Sequence, residues 1–165
     1  MKKQQIQYYR DIKVYVHEAI VDEFVKVMKE EITKTGPSGD TLNKDTIRGP
    51  QADRLQFDRV LGFLTEAHQD RLFIMLGGNC ENQPGFYFKP TIITDAHENH
   101  QVMREELFGP VVVINTFTGE EEVMELANDT KYGTYASVFT NDIQCAMRIA
   151  KLFNASIVGV NCNLA

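Results

Sequence analysis

Val111-Val112-Val113-Ile114-Asn115 is a near-continuous apolar run with no alternation. Such a run marks a strand buried on both faces, the habit of a largely parallel sheet flanked by helices. The segments on either side agree. Downstream, the spacing predicts a helix over 119–128, with Glu120, Glu121 and Glu122 in its first turn, where they complement the helix dipole. A strand is expected at Tyr135–Phe139, then a helix capped by Asn141 or Asp142 and running to about Phe153. Ser156–Asn161 reads as the last strand.

Upstream, Pro90-Thr91-Ile92-Ile93-Thr94 is a strand with proline at its start, and Leu72–Leu76 is a short apolar strand stopped by Gly77-Gly78. A helix precedes it, with Leu55, Val60, Phe63, Leu64 and Ala67 as its core face. Gly36-Pro37-Ser38-Gly39-Asp40 opens a loop that runs to Gly49-Pro50. Before the loop, Ile20, Phe24, Val27, Met28 and Ile32 form the stripe of another helix, and Ile12–Val16 alternates as a strand. Strands thus alternate with helices, which predicts one α/β domain over 1–165, with irregular ends at 1–9 and 162–165.

Bulk composition narrows the function classes. The chain has 165 residues, 43% hydrophobic and 24% charged, which is ordinary for a globular protein. Its net charge of −6 and scattered basic residues argue against a nucleic-acid or anionic-membrane partner. No apolar run approaches the ~20 residues of a membrane span, and the N-terminus lacks a signal-peptide core, so a cytoplasmic location is expected. Cys80, Cys145 and Cys162 are odd in number and widely spaced, with no C-x-x-C pair, so a disulfide framework or zinc site is not expected. His97 and His100 lie three residues apart in a polar segment and read as surface residues rather than metal ligands.

The motifs carry a resemblance. Glu105-Glu106-Leu107-Phe108-Gly109-Pro110 resembles the E-E-[IL]-F-G-P signature of aldehyde dehydrogenases. Gly85-Phe86-Tyr87-Phe88-Lys89-Pro90-Thr91 upstream and Ala127-Asn128-Asp129-Thr130-Lys131-Tyr132-Gly133 downstream extend it, with further matches from about Val16 to Asn161. The resemblance implies an aldehyde-dehydrogenase-like catalytic domain. It implies that Glu106 matches the residue holding the nicotinamide ribose and that Phe108 matches the residue beside the nicotinamide ring. Gln56 and Arg59 match helix positions that touch the cofactor ribose, although a lysine is more usual at the latter.

The same resemblance implies gaps. The family's thiol nucleophile lies in a G-Q-x-C segment before the first strand. Aligned through Val16–Phe24, that motif falls on Gln5-Ile6-Gln7-Tyr8, so Tyr8 stands in the cysteine register. A phenol with a pKa near ~10 does not replace a thiolate. The general-base Glu, the oxyanion Asn and the Gly-rich cofactor turn belong to portions not matched here, as does the family's oligomerisation strand. Gly159 stands where relatives carry Trp or another bulky group, and Thr134 where Leu is usual; these changes either open a cavity or are compensated locally.

The expectation is therefore a protein unable to oxidise aldehydes alone, with no functional cofactor site. Two readings follow. In one, the crevice is a non-redox site (cyclase, isomerase or dehydratase) for a small-molecule substrate. Tyr8 and Glu106 are then the catalytic pair, and Tyr9, Gln56, Phe108 and Asn161 the substrate contacts. Tyr8 and Tyr9 alternatively just anchor the N-terminal tail. In the other reading, the chain is a non-catalytic interaction protein or an inactive relic. Self-association as a homodimer, or docking to a full-length aldehyde dehydrogenase, would cover its apolar surface.

Overall fold

In the computed structural model, residues 12–162 are described, and they divide into two compact units with the boundary between Thr116 and Phe117. In the first unit, strand β1 (Ile12–His17) leads through a 3-10 turn (Glu18–Ile20) into helix α1 (Val21–Lys34). After the 35–53 loop come helix α2 (Arg54–Gln69), strands β2 (Phe73–Leu76) and β3 (Thr91–Thr94), the single-turn helix α3 (Gln101–Arg104) and β4 (Val111–Phe117). The four strands form one sheet in the order β1-β4-β3-β2.

The apolar run does what its composition predicts. β3 and β4 pair in parallel, Thr91 with Val111 through Thr94 with Ile114, and every residue from Val111 to Asn115 is buried. Side chains alternate across the pleat, so the sheet has two apolar faces. Ile93, Val111 and Val113 pack with Val60, Phe63, Leu64 and Ala67 of α2. Ile92, Val112 and Ile114 pack on the other face with Val16 and Val25, joined by Val21, Phe24, Met28 and Ile32 of α1. Asn115 ends the run as a buried polar clip. Its amide donates to the Ala96 carbonyl (2.7 Å) and to Glu98 (2.7 Å), while its oxygen accepts from Ala96 N–H (3.0 Å).

The largely parallel sheet holds, and three local expectations are corrected: the α1 stripe, the place of Leu55 and the surface reading of His100. The face of α1 is Val21, Phe24, Val25, Met28 and Ile32, the i, i+3, i+4, i+7 rows; Ile20 and Val27 are exposed, because Ile20 precedes the helix and Val27 lies off that stripe. Leu55 of α2 is 81% exposed, one turn too early to reach the sheet. β2 runs antiparallel to β3 at the sheet edge, with a register irregularity between Ile74 and Leu76. The sheet is thus parallel at β3–β4 with an antiparallel edge strand. His100, read as a surface residue, caps α3 by accepting from Val102 N–H and lies 3.0 Å from Asp70 Oδ2.

In the second unit, α4 (Glu120–Asn128), β5 (Tyr135–Val138), α5 (Ile143–Ala150) and β6 (Ile157–Val160) follow in turn, with β5 and β6 parallel. Asp142 is the cap of α5, accepting from Gln144 and Cys145 N–H. The space above Gly159 is filled rather than empty: a Cβ there would collide with the Tyr135 hydroxyl and the Cys162 carbonyl, which hydrogen-bond each other at 2.9 Å. Among the described residues no helix is long and apolar enough to cross a membrane.

Candidate functional site

Asp53 caps α2 by accepting from Gln56 N–H at 2.8 Å, which fixes the helix start and presents Gln56 and Arg59 one turn apart. Both side chains reach the 105–110 segment. Gln56 Nε2 donates to the carbonyls of Leu107 (2.6 Å) and Phe108 (3.0 Å). Arg59 donates to the Glu106 carbonyl (2.9 Å), and its guanidinium is 3.8 Å from Glu105 Oε2. Three successive carbonyls of a loop with no ladder of its own are thereby satisfied.

Packing completes the clamp. Leu107 is buried among the α2 residues, 1% exposed. Gly109 passes so close to the helix that a Cβ would lie 2.8 Å from Val60 Cγ2, so any side chain there would force Val60 or the loop to move. Between them Phe108 has φ +50°, a left-handed conformation that costs a bulky residue ~1–3 kcal/mol and clusters at functional sites. The result is a held loop with its chemistry turned outward. Phe108 is 39% exposed. Glu106 is half-buried, and its carboxylate has no hydrogen-bond or ion-pair partner among the described residues.

Tyr8 and Tyr9 lie outside the described residues. Asn161 belongs to the second unit, at φ +53°, where its amide bonds both ways to Thr140, accepting from its N–H (2.9 Å) and donating to its carbonyl (3.0 Å). The sequence reading missed Leu107 as the anchor, although an apolar residue between Glu-Glu and Gly-Pro was the available signal. It also missed that Gln56 and Arg59 grip backbone, which leaves no sequence pattern.

Two of the three thiols are held in the protonated form. Burial pushes the Cys80 thiol up from its ordinary pKa. Cys145 is raised chiefly by its hydrogen bond to the Glu120 carboxylate (3.3 Å), with burial adding to it. Both favour the thiol over the nucleophilic thiolate. Cys162 is exposed. No three His, Cys, Asp or Glu residues converge to hold a metal among the described residues.

Comparison with known proteins matches this arrangement. The family described as "Aldehyde dehydrogenase family" matches residues 12–165. The chain is 39% identical over 153 residues to the peroxisomal aminoaldehyde dehydrogenase 2 of Pisum sativum, covering 92% of this chain and 30% of the relative. It is 36% identical over 149 residues to an aldehyde dehydrogenase of Alternaria alternata, covering 90% and 30%. The crystal structure of betaine aldehyde dehydrogenase from Staphylococcus aureus in complex with NAD+ superposes with a TM-score of 0.87 at 29% identity, covering 93% of this chain and 31% of that one. The chain spans about 30% of the length of the curated relatives it matches. On a family match over nearly the whole chain, and a clamped E-E-L-F-G-P loop at its centre, the chain belongs to the aldehyde dehydrogenase family.

Proposed function

We propose that this chain supplies the nicotinamide-ribose side of an aldehyde dehydrogenase cofactor site and does not oxidise aldehydes by itself. The observation that carries the reading is the Glu106 carboxylate: its backbone is gripped by Arg59 while its oxygens have no partner among the described residues. The donor set fits that part of NAD(P)+. A half-buried carboxylate accepts hydrogen bonds from a ribose diol, and charge-assisted bonds of this kind are the strong ones. Phe108 offers an apolar ring beside the planar nicotinamide. Gln56 and Arg59 hold the loop rather than the ligand. Bound NAD(P)+ would supply the hydride acceptor.

The raised Cys80 and Cys145 thiols support the second clause, since neither is poised as a nucleophile. The test has two arms. Ligand-detected NMR with nicotinamide riboside should show weak saturable binding that Glu106→Gln removes while the fold persists. Incubation with NAD+ and simple aldehydes should form no NADH. Riboside binding unchanged in Glu106→Gln sinks the first clause; NADH formation by the purified chain sinks the second.

A second reading rests on the same carboxylate. Beside an exposed aromatic ring, Glu106 would alternatively serve as the general base of a non-redox cyclase, isomerase or dehydratase acting on a small organic substrate, with Tyr8 as the acid. Cofactor-independent turnover lost in both Glu106→Gln and Tyr8→Phe would favour it. The exposed Phe139, Ile143, Met147 and Leu152 support self-association or docking to a full-length aldehyde dehydrogenase. Light scattering at micromolar concentration should then give a dimer, and a monomer removes that part.

A further inference from the structure

The opposite end of the β3–β4 pair carries a separate cavity. The 105–110 loop enters β4 at Val111, whereas this cavity of about 220 Å³ opens at Thr94, Asp95 and Thr116, the carboxyl ends of β3 and β4. Five residues of strand, ~16 Å, separate the two places. The carboxyl ends of parallel strands are where α/β sheets ordinarily accept ligands.

The cavity exists because α1 covers only part of its sheet face. Val21 and Val25 of α1 form one wall. Phe73 and Met75 of the edge strand β2 form the other, and they stand 63% and 40% exposed. The walls are apolar, but the rim is not. Asp22, in the first turn of α1, and Asp95, at φ +55° after β3, both line the cavity. Neither carboxylate has a hydrogen-bond or ion-pair partner among the described residues, and no cation is among the lining side chains.

We propose that this cavity binds a small organic ammonium ion with a compact apolar or aromatic body. Two uncompensated carboxylates select a positive charge. Phe73 offers an aromatic face to the cation, and Val21, Val25 and Met75 cover the body. The volume lies below the ~300–1,000 Å³ of sites for drug-sized ligands, so a dinucleotide is too large. The site is independent of the Glu106 loop, and its ligand is distinguished from that loop's by charge: a cation here, a ribose diol there.

The experiment is a titration of the isotope-labelled 165-residue chain with 2-phenylethylammonium, followed by amide NMR, with neutral 2-phenylethanol in parallel. Saturable shifts confined to the amides around Asp22, Val25, Thr94 and Asp95, with the ammonium binding tighter than the alcohol, are expected. Asp22→Asn and Asp95→Asn should each weaken binding by up to about fivefold, the scale of a partly exposed ion pair. Asparagine tolerates the left-handed backbone at Asp95, so that variant keeps the fold, and its own spectrum verifies this. Phe73→Ala, at an exposed position, should weaken both probes. Equal affinity for the alcohol, unchanged affinity in the double aspartate variant, or the absence of a saturable shift would overturn the proposal.

Discussion

β4 and β5 are both parallel strands of one chain, yet they are held in opposite ways. β4 is buried from Val111 to Asn115, between an α1 face and an α2 face. β5 is half-exposed along its length, and Met124, Ala146 and Ile149 are the buried apolar side chains of its unit among the described residues. The second unit is fastened instead by polar clips. Asn161 bonds twice to Thr140. Asn128 donates to the Leu152 carbonyl (2.8 Å) and accepts from Asn154 N–H (2.8 Å). Arg148 grips Glu120 through two bonds of 2.9 and 2.6 Å. Packing scales with apolar area removed from water, whereas each exposed hydrogen bond exchanges for one with water and adds little net. One unit should therefore answer to volume and the other to polar chemistry.

Truncating the packed region is the most severe way to break the contrast. Ile92 is fully buried in the sheet, so Ile92→Ala should cost about 2–5 kcal/mol, the transfer term plus the cavity left behind. Urea unfolding at constant slope measures it. In the second unit, Asn161→Ala removes two hydrogen bonds and puts alanine at φ +53°, for a cost of about 1–2 kcal/mol. Equal losses in the two variants would mean that the units are not held differently.

A finer prediction concerns the polar clip inside the packed unit. Gln56→Ala leaves the Leu107 and Phe108 carbonyls without their donor. Leu107 and Val60 still pack, so the loss should be about 1 kcal/mol and local. Hydrogen exchange should quicken over 105–110 and stay unchanged along β3 and β4. Faster exchange throughout the unit would show that the loop is part of the global fold rather than a held appendage.

The contrast also explains what was legible in the sequence. A strand buried on both faces writes itself as Val-Val-Val-Ile, and the E-E-L-F-G-P motif carried the family. The α2 face was readable from Val60, Phe63, Leu64 and Ala67, because periodicity reports burial directly. Leu55 misled for the same reason: it keeps apolar character without a surface to meet. The antiparallel direction of β2 was hidden, since four apolar residues read alike either way. The division at Thr116 was hidden too, as no composition shift marks it. At the site, Glu106 and Phe108 were nameable as types, but the grip of Gln56 and Arg59 on carbonyls was not. Backbone acceptors are the same in every sequence.

The smallest effect concerns acid, and it falls on the second unit. Glu120 is held below the ordinary glutamate range chiefly by its hydrogen bonds with Arg148, and Glu122 by accepting from the Thr118 hydroxyl and N–H. A carboxylate depressed in the folded state contributes stability that is fully present above its unfolded pKa, about 4.3. That contribution fades as pH falls below this value and is lost on passing the lowered folded value. Both groups are exposed, so the contribution is small and weakened by salt. Between pH 5 and more acidic conditions, amide protection, measured against the intrinsic exchange rate at each pH, should therefore fall in α4 and α5 before it falls in α2. Glu120→Gln should flatten the acid response of α5, and it also removes the carboxylate that raises the Cys145 thiol, so alkylation of Cys145 should speed up at neutral pH. Acid loosening that begins in α2, or a Cys145 labelling rate unmoved by Glu120→Gln, would contradict the assignment of the second unit to polar clips.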